Sequence, residues 1–161
     1  MPAEINQACK LIDRFPMTEK IIMRTGWLGF MAVGAYAIHG QDPLWAWGYA
    51  VYGILGFLLV VLPGLCAHCP YPYELSTCLF MPPALLRRFY SYRGPQMTPA
   101  GKTAAFATMA GMVILPNFWL VNDIPLLMIF WLLGIPILAA FPMHYCSRCR
   151  HFRCPMNKVP K

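Results

Sequence analysis

Charged residues along this chain are set apart by four long uncharged runs: Thr25 to Gln41, Pro43 to Tyr73, Thr103 to Asn122 and Ile124 to Ser147. A bilayer core of about 30 Å is crossed by about 20 apolar residues in a helix. Each run supplies that length, the first by taking in Ile21, Ile22 and Met23. The pattern therefore predicts an all-α membrane protein with four transmembrane helices, over 21–39, 44–66, 103–121 and 124–145. Very short connectors, Gly40-Gln41-Asp42-Pro43 and Asn122-Asp123, make the spans two tandem hairpins.

Composition agrees with the pattern. Of 161 residues, 58% are hydrophobic and only 12% charged, whereas a soluble domain has about a quarter of its residues charged. The aromatic share of 14% removes a disordered tail from consideration. Prolines inside the spans, Pro63, Pro116, Pro136 and Pro142, imply kinks whose freed carbonyls are met by neighbouring helices, Ser/Thr groups or water. Ala35-Tyr36-Ala37 has the small residues of a signal cleavage site, but the segment before it is too long for a signal peptide. The stretch is read as a retained span.

The net charge of +7 is placed on one side. Lys10, Arg14, Lys20 and Arg24 precede or open the first span; Arg87, Arg88, Arg93 and Lys102 lie between the hairpins; Arg148, Arg150, Arg153, Lys158 and Lys161 follow the fourth. The outer connectors carry only Asp42 and Asp123. Positive loops stay in the cytoplasm, so both termini are expected there, in a membrane of the bacterial inner (cytoplasmic) type. The chain then divides into an interfacial segment 1–20, hairpin 21–66, a cytoplasmic cysteine-containing loop 67–102, hairpin 103–145 and a cysteine-rich tail 146–161. Ile5, Ala8, Cys9 and Ile12 form an apolar stripe in the first segment, and Pro83 opens an amphipathic helix in the loop. The bilayer accounts for the basic and aromatic residues of these segments without a nucleic acid.

Chemistry is concentrated in six of the seven cysteines. Cys66, Cys69 and Cys78 follow the second span, and Cys146, Cys149 and Cys154 follow the fourth, while Cys9 stands apart. A Cys-x-x-Cys turn aims two sulfurs at one ion, as in zinc knuckles and iron–sulfur sites. Two such pairs at one membrane face point to joint ligation. Isolated packing cysteines do not explain the pairing, and a thiol–disulfide relay sits poorly in a reducing compartment. The tail reads Cys-x2-Cys-x4-Cys-Pro, which departs from the bacterial ferredoxin spacing and identifies no family. Arg148, Arg150 and Arg153 favour thiolates there or act as membrane anchors.

An iron–sulfur cluster is the expected cofactor, with zinc as the alternative. Cys66, Cys69, Cys146 and Cys149 can form one site with Cys78 and Cys154 as further ligands, or each triplet can recruit a histidine, His144 or His151 in the tail. His39 has no partner at its depth, so a bis-histidine haem is not expected. The spans hold no Asp, Glu or Lys for an ion pathway. No nucleophile triad, phosphate loop or paired carboxylate is present. The expected function is a small, non-catalytic membrane subunit passing electrons within a redox complex, its centre on the cytoplasmic side and a redox or membrane-complex protein as partner. The alternative is a scaffold clamped by zinc.

Overall fold

The structure, a computed structural model, describes residues 11–159, apart from the side chains of Phe141 and Pro142. Cys9 and the stripe residues Ile5 and Ala8 lie outside the described residues. Those described form helices and turns with no strand. Four helices are long and apolar enough to cross a membrane: Met17–His39, Pro43–His68, Pro99–Leu120 and Ile124–Arg148. The first and third begin earlier than hydropathy alone indicates, and the second and fourth run further toward the cysteines.

Local chemistry sets the helix starts. Asp42 caps the second span, its carboxylate accepting from the Leu44 and Trp45 amides at 3.1 and 3.3 Å, with Pro43 in the first turn. Asp123 accepts from Leu126 N–H at 3.1 Å at the start of the fourth span. Thr98 accepts from Gly101 N–H ahead of the third, where Pro99 opens the helix. The two acidic residues of the short connectors therefore serve as caps, satisfying amides that have no partner inside a helix.

The first span is the centre of the bundle, packing against both the second and the fourth, while the third packs on the second. Phe30 and Phe130 stack with ring centroids 4.2 Å apart. Gly134 makes room for that pair, since a Cβ there would stand 2.6 Å from Phe30 Cε2. Outward faces carry Leu28, Ile54, Leu59, Ile114 and Leu132, all exposed. Against water each Å² of such surface costs about 25 cal/mol, a cost that lipid removes. These apolar helices make the chain an integral membrane protein.

Proline effects are absorbed by tyrosines. Pro116 has no N–H for the Met112 carbonyl one turn back, and buried Tyr49 donates its hydroxyl to that oxygen at 2.8 Å. Ahead of Pro63 the second span widens to a π-helix over Phe57–Val61, with Leu62 N–H reaching back to Phe57 O. That leaves the Leu58 carbonyl over, and Tyr90 of the following loop donates to it at 2.6 Å. A second π segment, Phe141–Tyr145, precedes the other cysteine turn. Asn117 further joins two spans, giving its side-chain N–H to Val113 O and accepting from Trp131 Nε1.

The two short connectors are tied together at one end of the bundle. Gln41 donates to Trp119 O at 2.9 Å, and Asn122 donates to Gln41 Oε1 at 3.1 Å. Segments bearing cysteines gather at the other end. Ile12 N–H donates to Arg148 O, Arg93 N–H to Ala67 O and Tyr71 O–H to Ile12 O.

Candidate metal centre

Both Cys-x-x-Cys turns have the same backbone. Cys66–His68 and Cys146–Arg148 are single 3₁₀ turns, after which Cys69 sits at φ −86°, ψ 129° and Cys149 at φ −84°, ψ 133°. The extended second cysteine turns the chain so that a later amide faces its sulfur. Tyr71 N–H approaches Cys69, His151 N–H approaches Cys149 Sγ at 3.4 Å, and Met156 and Asn157 amides approach Cys154. Backbone donors aimed at sulfur stabilise negative thiolate sulfur, the form that binds metal.

All six cysteines line one cavity of about 260 Å³ at the end of the bundle. Cys66 feels Cys78 and Cys69, Cys69 feels Cys78, Cys149 and Cys154, and Cys146 feels Cys154 and Cys149. Cys69 is thus the link between the two triplets. All six are free thiols. Among the described residues, no group of three or more Cys, His, Asp or Glu side chains stands close enough together to hold a metal ion. What the fold supplies is convergence on a shared chamber.

Burial raises the thiols of Cys69, Cys149 and Cys154 above their ordinary range and outweighs the amides. Cys69 is pushed up to about 12, chiefly by loss of solvent and then by the neighbouring thiols. Cys149 and Cys154 are raised for the same first reason, with Lys102 opposing it at Cys154. Of the tail arginines, Arg150 forms an ion pair with Asp13. A dication or cluster would supply the positive charge that these thiols otherwise lack.

The third cysteine of the first triplet is positioned by Arg24, whose guanidinium donates to the Leu79 and Cys78 carbonyls at 3.2 and 3.3 Å. Hydropathy places Arg24 at a span end for simple charge anchoring; in the fold it fastens the loop beneath the first span. Arg87, on the short helix Pro83–Phe89, likewise turns back to the Pro72 and Tyr73 carbonyls and to Ser76 Oγ.

Of the two histidines flanking the second Cys-x-x-Cys, His144 lies in the π segment, its ring edge-on to Tyr145, and His151 borders the cavity. His151 is 3% exposed, and its Nε2 has no hydrogen-bond partner. Burial, with His68 nearby, lowers its pKa. His68 Nδ1 donates to Gly94 O at 2.8 Å. His151 also borders a second cleft of about 500 Å³ at the surface, beside Arg150 and Phe152.

Two supporting residues lack a spacing signal in the sequence. Tyr71 O–H donates to Ile12 O while its oxygen accepts from Arg150 N–H and stands beside Cys149. Asn157 donates to the Cys149 and His151 carbonyls at 2.8 and 3.0 Å, closing the tail. Their closeness in sequence to Cys69 and Cys154 is the one hint available beforehand. No protein-family model, curated protein or solved structure matches the chain.

Proposed function

We propose that this chain is a membrane subunit holding a cysteine-ligated metal centre, an iron–sulfur cluster, at the cytoplasmic face, where it passes electrons between a redox partner and the membrane. Cys66, Cys69, Cys78, Cys146, Cys149 and Cys154 are the ligand set from which the centre draws. One observation carries the reading: six free thiols from two distant parts of the chain border a single chamber, with Cys69 joining them. The basic residues gathered around this end give the cytoplasmic orientation by the positive-inside rule.

Metal content and visible absorption of anaerobically purified protein test the proposal. Iron with broad brown absorption, lost in Cys69→Ser and Cys149→Ser and kept in Cys9→Ser, is the expected result. Colourless protein containing zinc instead establishes the scaffold. Protein that retains neither metal while all six thiols remain titratable overturns both.

A further inference from the structure

We propose that Arg88 and Phe89 form a binding site for one anionic phospholipid, the guanidinium on the lipid phosphate and the Phe89 ring against its acyl chains. The site lies outside the cysteine cavity and does not depend on the metal centre.

The short helix Pro83–Phe89 has two unlike sides. On the inner side Leu86 is 1% exposed, and Arg87 turns back to the Pro72 and Tyr73 carbonyls and to Ser76 Oγ. Ala84, Leu85, Arg88 and Phe89 are all exposed on the other side, where residues four apart are neighbours one turn on. Phe89 is 68% exposed. Among the described residues, the Arg88 guanidinium has no hydrogen-bond or ion-pair partner, whereas Arg87 beside it is fully engaged.

The residue after this helix sets it against the lipid boundary. Tyr90 donates its hydroxyl to Leu58 O in a bond on the exposed side of the second span, where Leu55, Leu58 and Leu59 are themselves exposed. Leu58 lies ten residues before His68, the end of that span, which at 1.5 Å per residue is about 15 Å along the axis. Headgroups occupy only about 5–8 Å on each side of the hydrocarbon core. With the span ending at the water boundary, the Tyr90 hydroxyl reaches into hydrocarbon, and the helix beside it stands at headgroup level.

That depth selects the occupant. Leu85 and Phe89 are at rest among acyl chains, but a guanidinium stays charged there and calls for an anion. Phosphate oxygens at headgroup level match its fork of N–H donors. A zwitterionic lipid brings a cation beside the same phosphate, so a lipid of net negative charge fits better. Free phosphate lacks the chains that Leu85 and Phe89 would cover. Through Arg87 the same helix holds the segment between Cys69 and Cys78, so a bound lipid would brace that loop.

The test is native mass spectrometry of the full chain in neutral detergent, titrated with phosphatidylglycerol or with phosphatidylcholine of the same acyl chains. One phosphatidylglycerol should bind at a concentration about fivefold lower than phosphatidylcholine, the selectivity that one arginine near an anionic surface supplies. Arg88→Gln should remove that preference, Arg88→Lys should keep part of it, and Phe89→Ser should weaken both lipids. Arg14→Gln, which removes the same charge from another exposed side chain at this end of the bundle, should keep it in full. Thermal unfolding in detergent alone reads the folding of each variant, and phosphatidylglycerol should raise the Tm of wild type but not of Arg88→Gln. Equal binding of the two lipids overturns the site. Equal losses in Arg88→Gln and Arg14→Gln also overturn it, since they show diffuse attraction of anions to a basic end. Displacement of the lipid by an equal concentration of glycerol phosphate makes this a free-anion site and overturns the lipid assignment.

Discussion

Gly64→Ala should disturb the candidate centre from two residues away. A Cβ at Gly64 would stand 2.9 Å from the Gly101 carbonyl oxygen and 3.3 Å from Ala105 Cβ. The first obstacle is backbone, so no rotamer change relieves it, and the second and third spans must separate by several tenths of an ångström. Overpacking of this kind costs about 1–3 kcal/mol, and a rigid obstacle places this case near the top of that range. For a chain of this size, about 3 kcal/mol corresponds to a Tm about 6–12 °C lower. Cys66 follows in the next turn and inherits the displacement, so metal retention should fall as well. Gly48→Ala is the matched control: its Cβ would meet nothing within 4 Å, and stability should stay within about 0.5 kcal/mol of wild type. Differential scanning fluorimetry in detergent with metal analysis reads both. Equal Tm values for the two variants would refute the close-approach argument.

Tyr49→Phe strands the Met112 carbonyl beside Pro116, and an unsatisfied buried acceptor costs about 1–3 kcal/mol, measurable by the same thermal assay. Tyr71→Phe should release the N-terminal segment from the tail, seen as faster amide exchange near Ile12 and Arg150. Metal-free protein should lose stability as pH rises from about 9 toward 12: the folded state keeps the Cys69 proton that the unfolded chain has given up, so the unfolded state binds fewer protons there. Thermal scans across that range on apo and metal-loaded protein should diverge, because a bound metal has already displaced the proton. A cysteine placed at Gln41 should be labelled from outside intact cells, and labelling only after permeabilisation would reverse the proposed orientation.

The membrane class was readable in the sequence because it depends on quantities that sum along the chain. Uncharged runs of sufficient length leave no other stable home for so much apolar surface, whatever the packing. Paired cysteine spacing was equally readable, since a Cys-x-x-Cys turn is local, and the two turns adopt matching dihedrals without help from each other. Tertiary structure decided which thiols meet. Cys69 lies eighty residues before Cys149, and their approach depends on the first span gripping the second and fourth, with Phe30 stacked on Phe130 in the space left by Gly134. The same holds for the proline repairs. Pro116 announces a missing hydrogen bond in the sequence, but the donor, Tyr49, lies on another helix and becomes identifiable only when the two are packed. Arg24 and Arg150 carry the same lesson for charge. Their place along the chain puts them at this end of the bundle, while their partners, the Cys78 and Leu79 carbonyls and Asp13, follow from distances that no one-dimensional pattern contains.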